Sequence, residues 1–397
     1  MQDLLRCSIT KLALREVTEE ELRQFNQRIR SSQLRHLDGT VVQKEVQFAY
    51  VTVDGQLVYP VEEGIVLMLP AFAISVGRNS ISETSNFQLR EEKKVVQDWY
   101  NQFGWQESEA GKCLDSLAFG DYRPVVVDYD HKGLMRIARY LPPGGKYMLD
   151  VASGAVPHDE YVHYSDNFQY RICMDLSFQA LKQAKKKLGA RGIYILGDIT
   201  NLPLQDNMID TVMSLHTIYH VPMDEQESAF RELYRVLKPG GTELVVYNWG
   251  KHSLMMRIAD APLNPFTFWI VRTLKRLVGI KPKAASAQPA LPARPARTLY
   301  FHAHNYKWFD RMFRQFCEYD MVCWRTVHQA FLSWYVRERF FGRQLLDFLF
   351  WFEEKFPHLA ARVGQFPMFI IKKPAAATTE TASASTENSE ELASINA

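Results

Sequence analysis

Three aspartates stand where three successive predicted strands end. Asp150 closes the apolar run YMLD, Asp175 follows RICM, and Asp198 follows GIYILG. In a nucleotide-binding sheet, a carboxylate about 20 residues after the first turn accepts the ribose hydroxyls, and Asp175 holds that place relative to Gly154. Each aspartate alone could equally cap a helix or serve a turn. Three of them in register favour a ligand site at the strand ends.

The turn after the first of these strands, ASGA, contains a single glycine, Gly154. A pyrophosphate requires close backbone amides and therefore several glycines. Here Ala152 and Val156 occupy positions where an NAD site favours glycine. The turn argues against a dehydrogenase and favours a nucleoside cofactor without phosphates.

Strands and helices alternate along the segment that carries the aspartates. The apolar patterns predict, in order, strand Tyr147–Val151, strand Tyr170–Met174, helix Phe178–Leu188, strand Gly192–Leu196, strand Thr211–Leu215, helix Asp224–Leu237 and strand Thr242–Tyr247. This alternation predicts the α/β class, with a Rossmann-like, mostly parallel sheet and helices on both faces. Such sheets bind ligands at the carboxyl ends of their strands, where the three aspartates lie.

Residues from about 146 to 248 resemble the class I S-adenosylmethionine (SAM)-dependent methyltransferases, particularly the broad group that includes quinone-biosynthesis enzymes. The resemblance is carried by MLDVASGA, CMDLS, GDITNLPLQDNMIDTVMSLHTIYHV and ELYRVLKPGG. It continues more faintly in NYKWFDRMFRQFCEYDMVCWRTV and in FPMFIIKK. The sequence departs from the family's first motif at Ala152, where a glycine is usual.

The resemblance implies SAM as the cofactor and assigns roles to the strand ends. Gly154 would let the backbone pass the methionine part, and Asp150 would anchor the turn. Asp175 would accept the ribose hydroxyls and Asp198 the adenine amino group, because carboxylates accept hydrogen bonds from hydroxyls and amines. The implied cofactor residues are Asp150, Ala152, Gly154, Asp175, Leu176, Asp198, Ile199, Ser214 and Tyr100.

Tyr100 lies in DWYNQFGW, a stretch before the first motif with aromatic residues at helical spacing. Such a stripe is usually core, and the resemblance offers the alternative that it covers the cofactor. His216 and His220 follow the fourth strand, where one of them could act as the general base. Their i, i+4 spacing also occurs in metal pairs, but they leave a strand rather than sit inside a helix, so no metal site is predicted. A packed histidine is the other interpretation.

The chain divides into three predicted parts. Residues 1–75 resemble the small activator subunit of tRNA, rRNA and release-factor methyltransferases. The resemblance is carried by LLRCSITKLALREVT and DGQLVYPVEEGIVLMLPAFAI, and it implies a small α+β domain. Of the cysteines that bind zinc in some members, only Cys7 remains, so zinc is not implied. Residues 76–374 form the methyltransferase domain, with helical insertions at about 249–304 and 329–365. Residues 375–397 have the Ala/Ser/Thr/Glu-rich composition of a disordered tail.

The composition of the chain limits which binding partners and which cellular location we expect. With 47 basic and 45 acidic residues, no global field attracts the chain to nucleic acid. The five scattered cysteines and the charged N-terminus favour a cytoplasmic protein. The apolar stretches NPFTFWIVRTLKRLVGI and QLLDFLFWFEEKF are too short to span a bilayer but could rest on its surface. No obligate protein partner is evident.

Methyltransferases that act on amide or base nitrogens carry an Asn/Asp-Pro-Pro-aromatic motif after the fourth strand. At that place this sequence reads SLHTIYHVP, which lacks the motif. We therefore expect a small-molecule or lipid-like acceptor, methylated on oxygen or carbon. The activator-like N-terminus is the basis of one alternative function, an RNA or translation-factor methyltransferase. Ala152 is the basis of a second alternative, a non-catalytic SAM-binding scaffold.

Overall fold

The structure, a computed structural model, describes residues 2–77, 87–108, 113–261, 299–337 and 341–375. Its strands are β1 Leu14–Glu16, β2 Arg35–His36, β3 Ala49–Thr52, β4 Leu57–Glu62, β5 Ile65–Leu67, β6 Ile74–Ser75, β7 Gly145–Val151, β8 Phe168–Asp175, β9 Gly192–Leu196, β10 Ile209–Leu215, β11 Leu237–Val246, β12 Tyr319–Arg325 and β13 Phe366–Lys372. Its α-helices are α1 Glu19–Arg30, α2 Glu91–Trp99, α3 Leu114–Phe119, α4 Pro124–Ala138, α5 Asp159–His163, α6 Phe178–Leu188, α7 Gln226–Val236, α8 Leu254–Asp260, α9 Tyr306–Phe313, α10 Gln329–Tyr335, α11 Gly342–Lys355 and α12 Pro357–Val363.

The strands form a sheet in the order β1-β3-β4-β5-β9-β8-β7-β10-β11-β13-β12, with β2 and β6 paired beside it. From β5 to β11 each neighbouring pair is parallel. β13 pairs antiparallel with β11 and with β12. The carboxyl ends of β7, β8, β9, β10 and β11 therefore share one edge. This arrangement confirms the predicted α/β class with a mostly parallel sheet.

Both faces of the sheet are covered by helices. On β7, Leu149 belongs to the same buried cluster as Phe230 of α7. The next residue toward the N-terminus, Met148, belongs to a second cluster with Leu181 of α6. Successive side chains of a strand point to opposite faces, so the continuous apolar run of β7 reflects burial on both sides.

The N-terminal residues continue the central sheet. The Asp54-Gly55 turn joins β3 to β4, with Gly55 at φ +74°. Pro60 lies inside β4, opposite Ala49. β5 then pairs in parallel with β9, so the hairpin is hydrogen-bonded to the methyltransferase strands. The boundary at residue 75 stays a prediction.

The predicted insertions contain helices where they are described. The first one holds α8, and its residues 262–298 lie outside the described residues. The second one holds α10, α11 and α12, which pack against α4 and β12. None of the described helices is long and apolar enough to cross a membrane. Residues 376–397 of the predicted tail are also outside the described part.

A buried ion pair joins β7 to β8 beneath the site edge. The carboxylate of Asp150 pairs with the guanidinium of Arg171, and the two residues are 4% and 1% exposed. Arg171 also donates to the carbonyl oxygen of Tyr161 in α5. Burial raises the pKa of Asp150, while Arg171 opposes that rise. Such a pair is costly to break, because the remaining charge stays buried without compensation.

We expect Arg171→Met to lower the free energy of unfolding by about 3–5 kcal/mol, because it strands the Asp150 carboxylate in the core. Urea denaturation measures this loss. The double variant Asp150→Leu, Arg171→Met should recover most of it, since both charges are removed. Arg191→Met is the control, because its pair with Asp166 is exposed. A single variant as stable as the native protein would contradict the prediction.

The carboxyl group of Glu243 is also buried, but it lacks a partner like the one that Arg171 provides for Asp150 in the described part of the chain. Glu243 of β11 is 0% exposed, and neither of its carboxyl oxygens has a hydrogen-bond partner in the described part of the chain. Burial raises its pKa well above the ordinary value, with Lys373 acting in the opposite direction. The folded protein therefore holds a proton on Glu243 at pH values where the unfolded chain has released it.

Because the folded state binds that extra proton, stability should fall as pH rises above the unfolded value of about 4.3. Glu243→Gln keeps the shape and removes the titration. We expect this variant to exceed the native protein in unfolding free energy by at least about 1 kcal/mol at pH 8, with the gap closing toward pH 4. Denaturation at several pH values measures the gap, with Glu227→Gln as the exposed control. Parallel pH profiles for the native protein and Glu243→Gln would refute the buried titration.

Candidate functional site

Asp175 ties the first two strand ends together. One carboxylate oxygen accepts the backbone N–H of Gly154 at 2.9 Å, and the other accepts the N–H of Ser177 at 2.8 Å. Ser177 in turn caps α6 through its hydroxyl oxygen, which accepts the N–H of Ala180. Burial raises the pKa of Asp175 to about 6, against the lowering effect of these backbone donors. The carboxylate is thus fixed at the edge where a ribose would lie.

The turn after β7 uses left-handed backbone at three positions. Ala152, Gly154 and Val156 have φ values of +54°, +54° and +50°. A Cβ at Gly154 would lie 2.3 Å from Cζ2 of Trp105, so only glycine fits beneath that ring. Ala152 adopts a conformation that costs a non-glycine residue of order 1 kcal/mol. The alanine is therefore accommodated by strain and does not alter the course of the turn.

Asp198 is engaged by protein partners. Its Oδ2 accepts from Lys93 Nζ at 2.6 Å, and its Oδ1 accepts from the backbone N–H and the hydroxyl of Thr200, both at 2.9 Å. Lys93 also pairs with Glu225 at 2.5 Å. In this conformation both oxygens of Asp198 have donors, so the adenine role implied for it stays a prediction.

Two further cofactor residues implied by the resemblance lie near these acids. The carbonyl oxygen of Leu176 accepts from Gln97 Nε2 at 2.6 Å. Ile199 is 6% exposed and packs in the main core cluster. The side chain of Ile199 therefore contributes to the core, while Leu176 links the edge to α2.

The segment that contains Tyr100 covers the same edge. A π-helical turn at Tyr100–Gly104 continues α2, and the ring of Tyr100 stacks on Trp105 at a centroid distance of 5.1 Å. Asn101 accepts a hydrogen bond from the hydroxyl of Ser177. This position agrees with the interpretation that the aromatic stretch covers the site, although Tyr100 also packs as core.

The end of β10 brings Ser214 and the two histidines to the edge. Ser214 is 0% exposed, and its hydroxyl has no hydrogen-bond partner in the ranges that the structure describes. His216 has φ +60°, and its ring lies edge-on to Trp324 at a centroid distance of 4.4 Å. Nδ1 of His220 is 2.6 Å from the carbonyl oxygen of Tyr300. Because a carbonyl can only accept, Nδ1 carries the proton and Nε2 is an acceptor.

Both histidines are held neutral. Burial, aided by the charge of Arg325, lowers the pKa of His216 to about 3. Burial lowers the pKa of His220 to about 4. A neutral imidazole has a lone pair that can accept a proton, but the lowered pKa makes each ring a weak base at pH 7. Within the described ranges, no group of three His, Cys, Asp or Glu side chains is placed to hold a metal ion.

Two residues that contact the site were not predicted from the sequence. Lys93 lies in a charged stretch, EEKKVV, that is typical of a solvated helix, yet it is 6% exposed. Trp105 lies in the aromatic stretch that drew attention to Tyr100, and its contact with Gly154 depends on how that stretch folds back. A small residue opposite a large aromatic one is visible only in three dimensions.

The chain was compared with known proteins. The family model of the methyltransferase domain matches residues 149–245. Over 178 residues the chain is 30% identical to the ubiquinone/menaquinone biosynthesis C-methyltransferase UbiE of Shewanella sp. (strain ANA-3), covering 40% of this chain and 69% of that protein. Over 172 residues it is 26% identical to the sterol 24-C-methyltransferase erg6 of Schizosaccharomyces pombe, covering 40% of this chain and 42% of that protein. A match of 31% identity over 157 residues to the malonyl-[acyl-carrier protein] O-methyltransferase of Marinomonas sp. (strain MWYL1) covers 38% and 53%. The chain thus spans about half or less of two of these three relatives.

The position of Asp175 leads to a test by ligand binding. We expect Asp175→Ala to weaken binding of S-adenosylhomocysteine by about 1–3 kcal/mol, because ribose hydroxyls would lose their acceptor in a partly buried place. Binding by the native protein should also weaken as pH falls through about 6, since protonation removes that acceptor. Calorimetry measures both effects.

Asp175→Asn keeps one carbonyl oxygen for the backbone donors and cannot titrate. We expect it to bind with intermediate affinity and without the change near pH 6. Asp166→Ala is the exposed control. Unchanged affinity in Asp175→Ala would remove the ribose assignment.

Proposed function

This chain belongs to the class I SAM-dependent methyltransferases, in the group of the quinone-biosynthesis enzymes, and on that premise we propose that it methylates a small-molecule or lipid-like acceptor on oxygen or carbon. The observation that carries the acceptor class is the aromatic lining around His216. Its ring contacts Trp324 at 4.4 Å and Phe366 at 5.3 Å. Aromatic walls with a few polar groups are typical of small-molecule sites.

SAM is the cofactor, and it supplies an activated methyl group on a cationic sulfur. The residues at the carboxyl edge fit a nucleoside of this kind. Asp175 presents a fixed carboxylate, and the buried hydroxyl of Ser214 lacks a partner within the described part of the chain. In this conformation the ring of Trp105 fills the space beside Gly154. The single glycine turn also suits a ligand without phosphates.

The relatives support an acceptor that is not a nucleic acid. Their names describe enzymes of quinone biosynthesis, a sterol C-methyltransferase and an O-methyltransferase of a carrier-bound malonyl group. The loop after β10 lacks the Asn/Asp-Pro-Pro-aromatic motif that grips planar nitrogens. Oxygen and carbon acceptors need no such grip, and they need only positioning and removal of a proton.

We assign that proton to His216 or His220. Both are neutral at pH 7 because burial lowers their pKa values to about 3 and about 4. His220 Nε2 is an acceptor, since Nδ1 donates to Tyr300. Each ring is therefore unprotonated and able to accept a proton, but as a weak base, because its pKa lies well below the working pH.

A lipid-like acceptor also agrees with an exposed aromatic surface on α11. Phe348 and Trp351 are 56% and 52% exposed, with ring centroids 5.7 Å apart. Arg343 and Lys355 are exposed on the same helix. The helix also exposes Asp347 and Glu354, so the support for peripheral contact with a membrane surface comes from the aromatic rings rather than from a basic face. Residues 1–75 retain their proposed role as an accessory domain.

To test the function, purified protein and SAM with a labelled methyl group are incubated with fractions of a cell extract, and the labelled product is identified. We expect the label in a small-molecule or lipid fraction. The His216→Ala, His220→Ala double variant should lower the rate by about 10²–10⁴-fold, which is the usual effect of a general base. Its affinity for S-adenosylhomocysteine should be unchanged.

His163→Ala is the control, because its side chain is 71% exposed. Label found only in RNA or protein would overturn the acceptor class. Full activity of the double histidine variant would overturn the assignment of the base while leaving the acceptor class intact.

A further inference from the structure

Three buried polar atoms beside His216 lack partners. They are Nε1 of Trp324, Nε of Arg325 and Oε1 of Gln365, and none has a hydrogen-bond partner within the described ranges. Trp324 and Gln365 are each 5% exposed. A buried polar atom without a partner costs about 1–3 kcal/mol, so native proteins keep few of them. Three in one place require an explanation.

These atoms share one wall of the site. The guanidinium of Arg325 lies 4.9 Å from the ring of Trp324 and 5.3 Å from the ring of Phe366. These are the same two rings that the imidazole of His216 contacts. Gln365 directly precedes Phe366, and its backbone N–H donates to the carbonyl oxygen of Thr326 at 2.9 Å. Trp324 contacts the proposed base, Arg325 lies on the two rings that the base contacts, and Gln365 adjoins them along the chain through Phe366.

The backbone explains why they meet there. β12 ends at Arg325 and β13 begins at Phe366, and the two strands are antiparallel neighbours with Arg325 opposite Phe366. β12 therefore ends at the edge where β10 delivers His216. Gln365 Nε2 donates to Asn248 Oδ1 at 2.6 Å, which fixes its amide and leaves Oε1 as the atom without a partner.

The wall is electropositive. Among the described residues, the ion-pair partner of Arg325 is Asp130, at 2.7 Å. Burial raises the pKa of Asp130, and Arg325 opposes that rise. The charge of Arg325 lowers the pKa values of both His216 and His158. Net positive potential therefore reaches the imidazole of His216.

We propose that Trp324, Arg325 and Gln365 form the subsite that receives an anionic oxygen of the acceptor, such as a carboxylate, phenolate or enolate. This rests on the proposed function and specifies its substrate. Two N–H donors, one of them on a guanidinium, match an anionic oxygen and form charge-assisted hydrogen bonds with it. Gln365 Oε1 accepts from a hydroxyl carried beside that oxygen. Trp324 and Phe366 supply apolar walls for the remainder of the molecule.

The probes for this subsite are 2-naphthoate and 2-naphthamide, which have nearly the same shape and differ in charge. Binding of each is measured by calorimetry to protein saturated with S-adenosylhomocysteine. We expect the native protein to bind the carboxylate at least about tenfold more tightly than the amide, because charge-assisted hydrogen bonds are about twice as strong as neutral ones.

Variants separate charge from shape. Arg325→Gln should bring the two affinities within about twofold of each other, while Arg325→Lys keeps part of the preference because it keeps the charge. Trp324→Phe keeps an aromatic ring and removes one donor, so it should weaken the carboxylate more than the amide. Arg314→Gln, whose side chain is 76% exposed, is the control and should keep the native preference.

Each outcome is decisive. If the native protein binds S-adenosylhomocysteine but binds both probes equally, or neither, the anionic subsite is overturned. The same holds if Arg325→Gln retains the native preference while its thermal midpoint and its affinity for S-adenosylhomocysteine match the native values. If the native protein does not bind S-adenosylhomocysteine, the proposed function fails and the subsite fails with it.

Discussion

The candidate site depends on the buried ion pair between Asp150 and Arg171. It joins the first two strands of the parallel sheet directly beneath the turn that carries Gly154. Arg171 extends the connection to Tyr161 in α5, so strand, strand and helix are held by one guanidinium. Asp150 lies at the strand end before the turn, and its charge is paired within the protein. Its implied role as the anchor of the turn stays a prediction. Asp175, whose oxygens accept only backbone N–H groups, is the carboxylate left to face a ligand.

Local patterns predicted the central sheet well because its elements carry their own signals. Helix Phe178–Leu188 and strand Gly192–Leu196 are found as predicted, since Ser177, Gly189 and Gly192 mark their ends in the sequence. β11 begins earlier than expected, at Leu237, because Leu237 pairs with Ile209 across a register shift before the regular ladder starts. The Lys-Pro-Gly-Gly stretch that follows lies between the predicted helix Asp224–Leu237 and the predicted strand Thr242–Tyr247. Tertiary pairing recruits it into the strand.

The site was predicted less completely, because its partners come from distant parts of the chain. Asp198 was recognised as a strand-end acid, but Lys93, which occupies one of its oxygens, is 105 residues away and lies in an ordinary charged stretch. The subsite around His216 needs β12 and β13 to run antiparallel so that Arg325 and Phe366 meet. The spacing of residues in the sequence does not predict that Arg325 and Phe366 lie opposite each other. What the sequence did reveal is that His216 ends a strand at the edge where ligands bind.

The charges of the site form a consistent arrangement. Asp150 is paired with Arg171 and Asp198 with Lys93. Asp175 has no ion-pair partner among the described residues, and we propose that it accepts the ribose hydroxyls. The acceptor side is positive through Arg325, and a cofactor with a cationic sulfur would add to that potential. A neutral acceptor would leave the two positive charges to repel each other in a partly desolvated space. An anionic oxygen between them compensates both, which favours simultaneous binding of cofactor and acceptor. Because linkage between two binding sites is reciprocal, a cationic cofactor would strengthen the binding of such an acceptor to the same extent that the acceptor strengthens the binding of the cofactor.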